Sequence, residues 1–186
     1  VTFTIIRVKS LAVTLSSYSY NIHDALSVSS IVVTYSDDIT TDDLTTNDLT
    51  WSIGISNLCP SNIRTTSSYS ISASYTKSDI TVTHTGISIS IKALKNIKIV
   101  DSSNNEYSII TRDYNTVIGD ISNRYFLKAV FNDNTTSGIE IIDDVYGTND
   151  SIITDVVLKN RTSCHIPYNW IVNNNVIDTL DVEFTI

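Results

Sequence analysis

Three histidines, two cysteines and two acidic clusters are the residues of this chain best suited to chemistry. His23, His84 and His165 stand far apart, whereas a zinc site needs three or four ligands at recognisable spacings. His165 directly follows Cys164, but neighbours in a strand point to opposite faces, so the two are not read as a nucleophile and its base. Asp37, Asp38, Asp42, Asp43 and Asp48 crowd one polar stretch, and Asp143, Asp144 and Asp150 a second. Calcium would need several such oxygens converging on one point. No D-x-D-x-D-G loop is present, so solvated acidic loops are expected and calcium is not favoured. Serine is abundant, yet the chain has no G-x-S-x-G elbow, phosphate loop or dinucleotide fingerprint. Neither catalysis nor a bound cofactor is therefore expected.

Binding and modification leave clearer traces. Tyr18, Tyr20, Tyr69, Tyr75, Trp51 and Trp170 are amphipathic rings that suit stacking on sugars, although core or edge packing is their more ordinary use. Three N-x-S/T sequons stand at Asn134, Asn149 and Asn160, in or beside turns where an N-linked glycan fits. Cys59 and Cys164 either form a disulfide, the reading that an extracellular-looking composition favours, or remain buried thiols.

The elements that must position these groups are strands. Ser and Thr make up about a quarter of the chain, Ile and Val far outnumber Leu and Ala, and Met and Gln are absent. β-Branched residues suit a pleated surface, and the missing types are helix formers. About twelve short apolar alternations are separated by Asn-Asp-Ser turn clusters, the pattern of an all-β fold, an Ig-like β-sandwich or a jelly roll. SYSISASY alternates Tyr69, Ile71, Ala73 and Tyr75. DITVTHTGISISIKAL shifts its apolar phase at Gly86, as a bulge would. The C-terminal VIDTLDVEFTI alternates Leu180, Val182, Phe184 and Ile186. A net charge of −8 offers no basic stripe to nucleic acid or an anionic membrane surface, and no apolar run reaches the roughly 18–20 residues of a membrane helix.

The leading run VTFTIIRVKSLAVTL poses the organising question. Val1, Phe3 and Ile5 share one face, Ile6 and Val8 the other, and Leu11, Val13 and Leu15 resume the first, so two register slips are expected. The run is either an ordinary first strand, a donor strand completing a neighbouring copy, or a fragment of a larger chain. An apolar strand without a designated acceptor is an aggregation hazard. Burying about seven such side chains contributes on the order of 10–20 kcal/mol gross, opposed by about 1–2 kcal/mol of ordering entropy per residue. Strand addition from copy to copy does not close on itself and yields a filament.

The apolar N-terminal strand, the Ser/Thr/Asn/Ile-rich β-body and the sequons at Asn134, Asn149 and Asn160 together resemble the secreted thread-type pilins of archaea. The resemblance implies a donor strand over residues 1–16 and a sandwich body over residues 17–186. Val1, Phe3, Ile5, Val8, Leu11, Val13 and Leu15 would then form the interface with the next subunit. It also implies a glycosylated extracellular filament whose signal peptide has been removed. Its partners would be copies of itself and glycans of host or neighbouring cells, and its role adhesion and cell–cell contact. A viral capsid or receptor-binding β-sandwich and a carbohydrate-binding module are the alternatives.

Overall fold

The computed structural model describes residues 4–38, 41–110, 118–142, 145–146 and 162–186. Strand dominates it, in several sheets, as an all-β, sandwich-like fold requires. Contacts divide the chain into two compact units, Val1–Lys92 and Ala93–Ile186.

The N-terminal unit contains two sheets. The first has the order β1-β3-β4, from strands Val8–Leu15, Val28–Tyr35 and Thr41–Asp43. The second has the order β2-β7-β6-β5, from Ser19–Asn21, Ile80–Lys92, Ser68–Lys77 and Thr50–Trp51. β1 packs against β6 and β7. Leu11, Val13, Leu15, Val33 and Tyr35 of the first sheet are buried, as are Ile71, Ala73, Ile87, Ile89 and Ile91 of the second. Only a period of two places every second residue in such a core. Two of the three expected phase shifts are bulges; the slip between Ile5 and Ile6 falls before β1 begins, and an unexpected shift lies between Thr14 and Leu15. The register between β1 and β3 shifts between Val8 and Ser10. That between β6 and β7 shifts opposite Gly86, whose φ of 76° is one that glycine adopts freely. The extra residue at Gly86 keeps His84 on the same face as Ile87, Ile89 and Ile91.

The leading run is thus divided. Val1–Phe3 lie outside the described residues, Thr4–Arg7 are exposed, and Val8–Leu15 pair antiparallel with β3 of their own unit. Of the expected interface residues, Val8, Leu11, Val13 and Leu15 are buried at home, and Ile5 is 70% exposed.

The C-terminal unit combines a four-stranded sheet, β11-β10-β8-β9, with the hairpin β12–β13. Its strands are Leu94–Val100 (β8), Glu106–Tyr107 (β9), Phe126–Phe131 (β10), Glu140–Ile141 (β11), Ser163–Val172 (β12) and Asn175–Thr185 (β13). A short helix, Ile118–Arg124, precedes β10 and adds Ile121 to the core. Leu94, Ile97, Ile99, Leu127, Phe131, Ile166 and Phe184 pack in the same cluster, and Trp170 meets Phe131 edge-on at 4.8 Å. Two polar residues are buried there with partners. Asp178 Oδ2 accepts the Leu94 amide at 2.9 Å, and Asn132 Oδ1 accepts the Ala93 amide at 3.1 Å.

Two sequence expectations change here. The acidic stretch after Ser36 is more than loop: Thr41–Asp43 form β4, and a 3-10 turn at Thr46–Asp48 is closed by a Thr45–Asp48 capping box. YNTVIG, whose pattern in the sequence reads as a short strand, ends in helix, because Ile118 and Gly119 open Ile118–Arg124. SIITDVVL, which also reads as a strand in the sequence, lies outside the described residues.

Candidate functional site

Among the described residues the chemistry-bearing side chains do not converge. His23 Nδ1 lies 2.9 Å from Asn57 Oδ1, and His165 Nδ1 lies 3.5 Å from Asp181 Oδ2. His84 Nδ1 accepts the Val13 amide at 2.8 Å. Among the described residues no group of three or more His, Cys, Asp or Glu side chains could hold a metal ion. Asp38 pairs with Lys9, and the Asp48 carboxylate accepts the Thr45 hydroxyl and amide, which lower its pKa. Asp143, Asp144 and Asp150 lie outside the described residues.

The expected disulfide is not formed. Cys59 is an exposed free thiol, and Cys164 is a free thiol at 0% exposure. The alternation of β12 explains the second: Cys164, Ile166 and Tyr168 point into the core, while His165 points out. Burial, with a smaller contribution from Glu183, pushes the Cys164 thiol up to about 11. A thiol so placed packs as a small hydrophobe.

Asn134 is exposed in a turn at φ 65°, closed by its amide donating to the Phe131 carbonyl, with Thr136 two residues on. Asn149 and Asn160 lie outside the described residues.

The six aromatics separate. Tyr20 is buried, with its hydroxyl donating to the Ser17 carbonyl at 2.6 Å. Trp51 donates to the Thr46 carbonyl, Trp170 packs on Phe131, and Tyr75 is half-buried. Tyr18 and Tyr69, however, line one open groove of about 490 Å³ with Ser68, Ser70, Ser88 and Ser90. Tyr18 is half exposed, and its carbonyl accepts the Ser90 amide at 2.8 Å, which holds the residue at the groove's edge.

The groove is one end of a larger surface. The outward side of β6 carries Ser68, Ser70, Ser72, Ser74 and Thr76; that of β7 carries Thr81, Thr83, Thr85, Ser88 and Ser90. These strands therefore present hydroxyls, with no charged side chain between Ser68 and Thr76 or between Thr81 and Ser90. Register pairs Ser68 with Ser90, Ser70 with Ser88, Ser74 with Thr83 and Thr76 with Thr81. At the turn end the hydroxyls satisfy one another, at 2.9 Å for Ser74–Thr83 and 2.8 Å for Thr76–Thr81. At the groove end the side chains of Ser68, Ser70 and Ser88 make no hydrogen bond among the described residues. This surface was visible in the sequence as the polar half of two alternations, S-x-S-x-S-x-S and T-x-T-x-T, but an inventory of titratable groups passes over it.

A second cleft, of about 430 Å³, lies beside the N-terminal segment, where Ile5, Ile6, Tyr35, Lys77 and Ile80 are among its walls. Lys77 Nζ donates to the Tyr35 hydroxyl there at 2.7 Å.

Fold and surface together define a two-unit β-protein with a hydroxyl-faced sheet. Comparison with known proteins finds no matching family model, no similar curated protein and no similar solved structure. No helix among the described residues is long and apolar enough to cross a membrane.

Proposed function

We propose that the chain is a structural subunit of an extracellular surface filament, acting in adhesion and cell–cell contact and working by contact rather than catalysis. The observation that carries this reading is the place of β1. It stands at the end of the order β1-β3-β4, and it buries Val8, Leu11, Val13 and Leu15. Another copy's β1 would meet the same neighbours in the same register, so exchange needs no new interface. Burial of those four side chains contributes on the order of 6–12 kcal/mol gross in either arrangement. Glycosylation at Asn134, Asn149 and Asn160 belongs to the same reading and would coat the filament.

Electron microscopy of the purified chain tests it. Filaments, lost when residues 1–15 are deleted, are the expected result. Closed trimers or pentamers would favour a viral capsid or receptor-binding domain instead, and monomers at every concentration would overturn assembly.

A further inference from the structure

We infer that the groove beneath Tyr18 is a binding site for a neutral glycan. The inference rests on the reading of this chain as a surface contact module and names the partner of one of its faces. Three observations combine. First, Tyr18 is 50% exposed, though its backbone is fixed to Ser90. An accessible ring on a fixed backbone is suited to stacking on the apolar face of a sugar. Second, the side-chain hydroxyls of Ser68, Ser70 and Ser88 lack partners among the described residues, whereas the equivalent pairs at the turn end bond to each other. A serine hydroxyl both donates and accepts, as a sugar hydroxyl does. Cross-strand neighbours stand about 4.5–5.5 Å apart, and next-but-one residues along a strand about 6.7 Å. Third, the lining of Tyr18, Ser68, Tyr69, Ser70, Ser88, Ile89 and Ser90 contains no charged side chain. A sulfated or sialylated sugar would find no cation in that lining to pair with. A neutral sugar needs none. The groove's volume of about 490 Å³ falls within the usual range for small-ligand sites and admits one or two units of a longer chain.

The test is a panel of gluco-, manno-, galacto- and N-acetylhexosamine oligosaccharides, with sulfated and sialylated controls, titrated calorimetrically into the full chain. Binding to at least one neutral oligosaccharide is expected. Tyr18→Ala should weaken it by about tenfold or more, and Tyr18→Phe, which keeps the ring, by less than about threefold. Ser70→Ala combined with Ser88→Ala should weaken it several-fold, whereas Thr76→Ala combined with Thr81→Ala, at the bonded end, should not. Circular dichroism of each variant separates lost binding from lost folding. No neutral ligand at millimolar concentration, binding confined to the charged controls, or a Tyr18→Ala variant equal to wild type would overturn the site. Micrographs of the same samples keep the two readings apart: filaments without sugar binding would remove only the groove, and sugar binding by monomers only the filament.

Discussion

The molecule contains two long hairpins of the same design and opposite surface chemistry. β6–β7 in the N-terminal unit and β12–β13 in the C-terminal unit each close on two residues of positive φ, Ser78–Asp79 and Asn173–Asn174. Each has one bulge, and each buries one face. On β6–β7 the outward face is hydroxyls, whereas β12–β13 presents Ser163, His165, Asp181 and Glu183, joined as Ser163–Glu183 and His165–Asp181. The hairpin frame thus constrains the inward residues and leaves the outward ones to serve contact. The titratable face holds its polar groups in pairs on its own surface, while the hydroxyl face turns Ser68, Ser70 and Ser88 to solvent.

The largest effects should show how alike the inward faces are. Ile89→Ala on β7 and Ile166→Ala on β12 each remove most of a side chain at 3% and 0% exposure. Each should destabilise its own unit by about 2–5 kcal/mol in urea denaturation, whereas the outward Ser70→Ala should stay within about 0.5 kcal/mol. A small loss at either isoleucine would break the equivalence.

Next comes pH, which at the alkaline end should act most strongly through the C-terminal hairpin, where burial raises both Cys164 and Tyr168. Burial raises the Cys164 thiol from 9.0 to about 11, so the folded state holds a proton that the unfolded state releases. Its contribution to stability is fully present below pH 9 and is lost as pH rises through 11. Denaturation across that window should show a loss that Cys164→Ala reduces, the remainder coming from tyrosines such as Tyr168 that burial also raises. Native alkylation at pH 8 should label Cys59 and spare Cys164.

Much of this frame was legible beforehand. Alternation in SYSISASY and VIDTLDVEFTI marked β6 and β13, and the phase shifts at Val8 and Gly86 are bulges. The full length of β12 was less legible: Cys164 and His165 read as strand neighbours, but Pro167 breaks the pattern that would extend the strand to Val172. Its tolerance has a structural reason. His165 exchanges backbone hydrogen bonds with Tyr146, on the side away from β13, and Pro167, two residues on, faces the same side. The missing amide therefore interrupts no bond to β13. Ile118–Arg124 escaped as a helix because seven residues give too little periodicity to read. The groove escaped for a different reason: that Ser68 meets Ser90 and Ser70 meets Ser88 depends on register across the Gly86 bulge, which periodicity along one strand does not fix.

Smaller perturbations should sharpen the contrast between the hairpins. Gly86→Ala meets no atom within 4 Å but must hold φ at 76°, at a cost of about 1–2 kcal/mol in thermal or urea unfolding. β12–β13, whose bulge contains no glycine, has no equivalent position. Smallest should be Asp79→Gly, which relaxes a φ of 62° at the second turn position and should stabilise β6–β7 by some tenths of a kcal/mol to about 1 kcal/mol.

Whether β1 passes between copies is most directly measured by trapping it. Ala12 and Val32 are outward partners in the β1–β3 register, at a separation of about 5.5 Å that suits a disulfide. With Cys59→Ser as background, a copy carrying Ala12→Cys is mixed with a copy carrying Val32→Cys under assembly conditions and then oxidised. A covalent link between Cys-substituted positions of two different copies, found by peptide mapping, is the predicted result. Efficient closure within one chain of the Ala12→Cys, Val32→Cys double variant, with no link in the mixture, would contradict it and return β1 to an ordinary first strand.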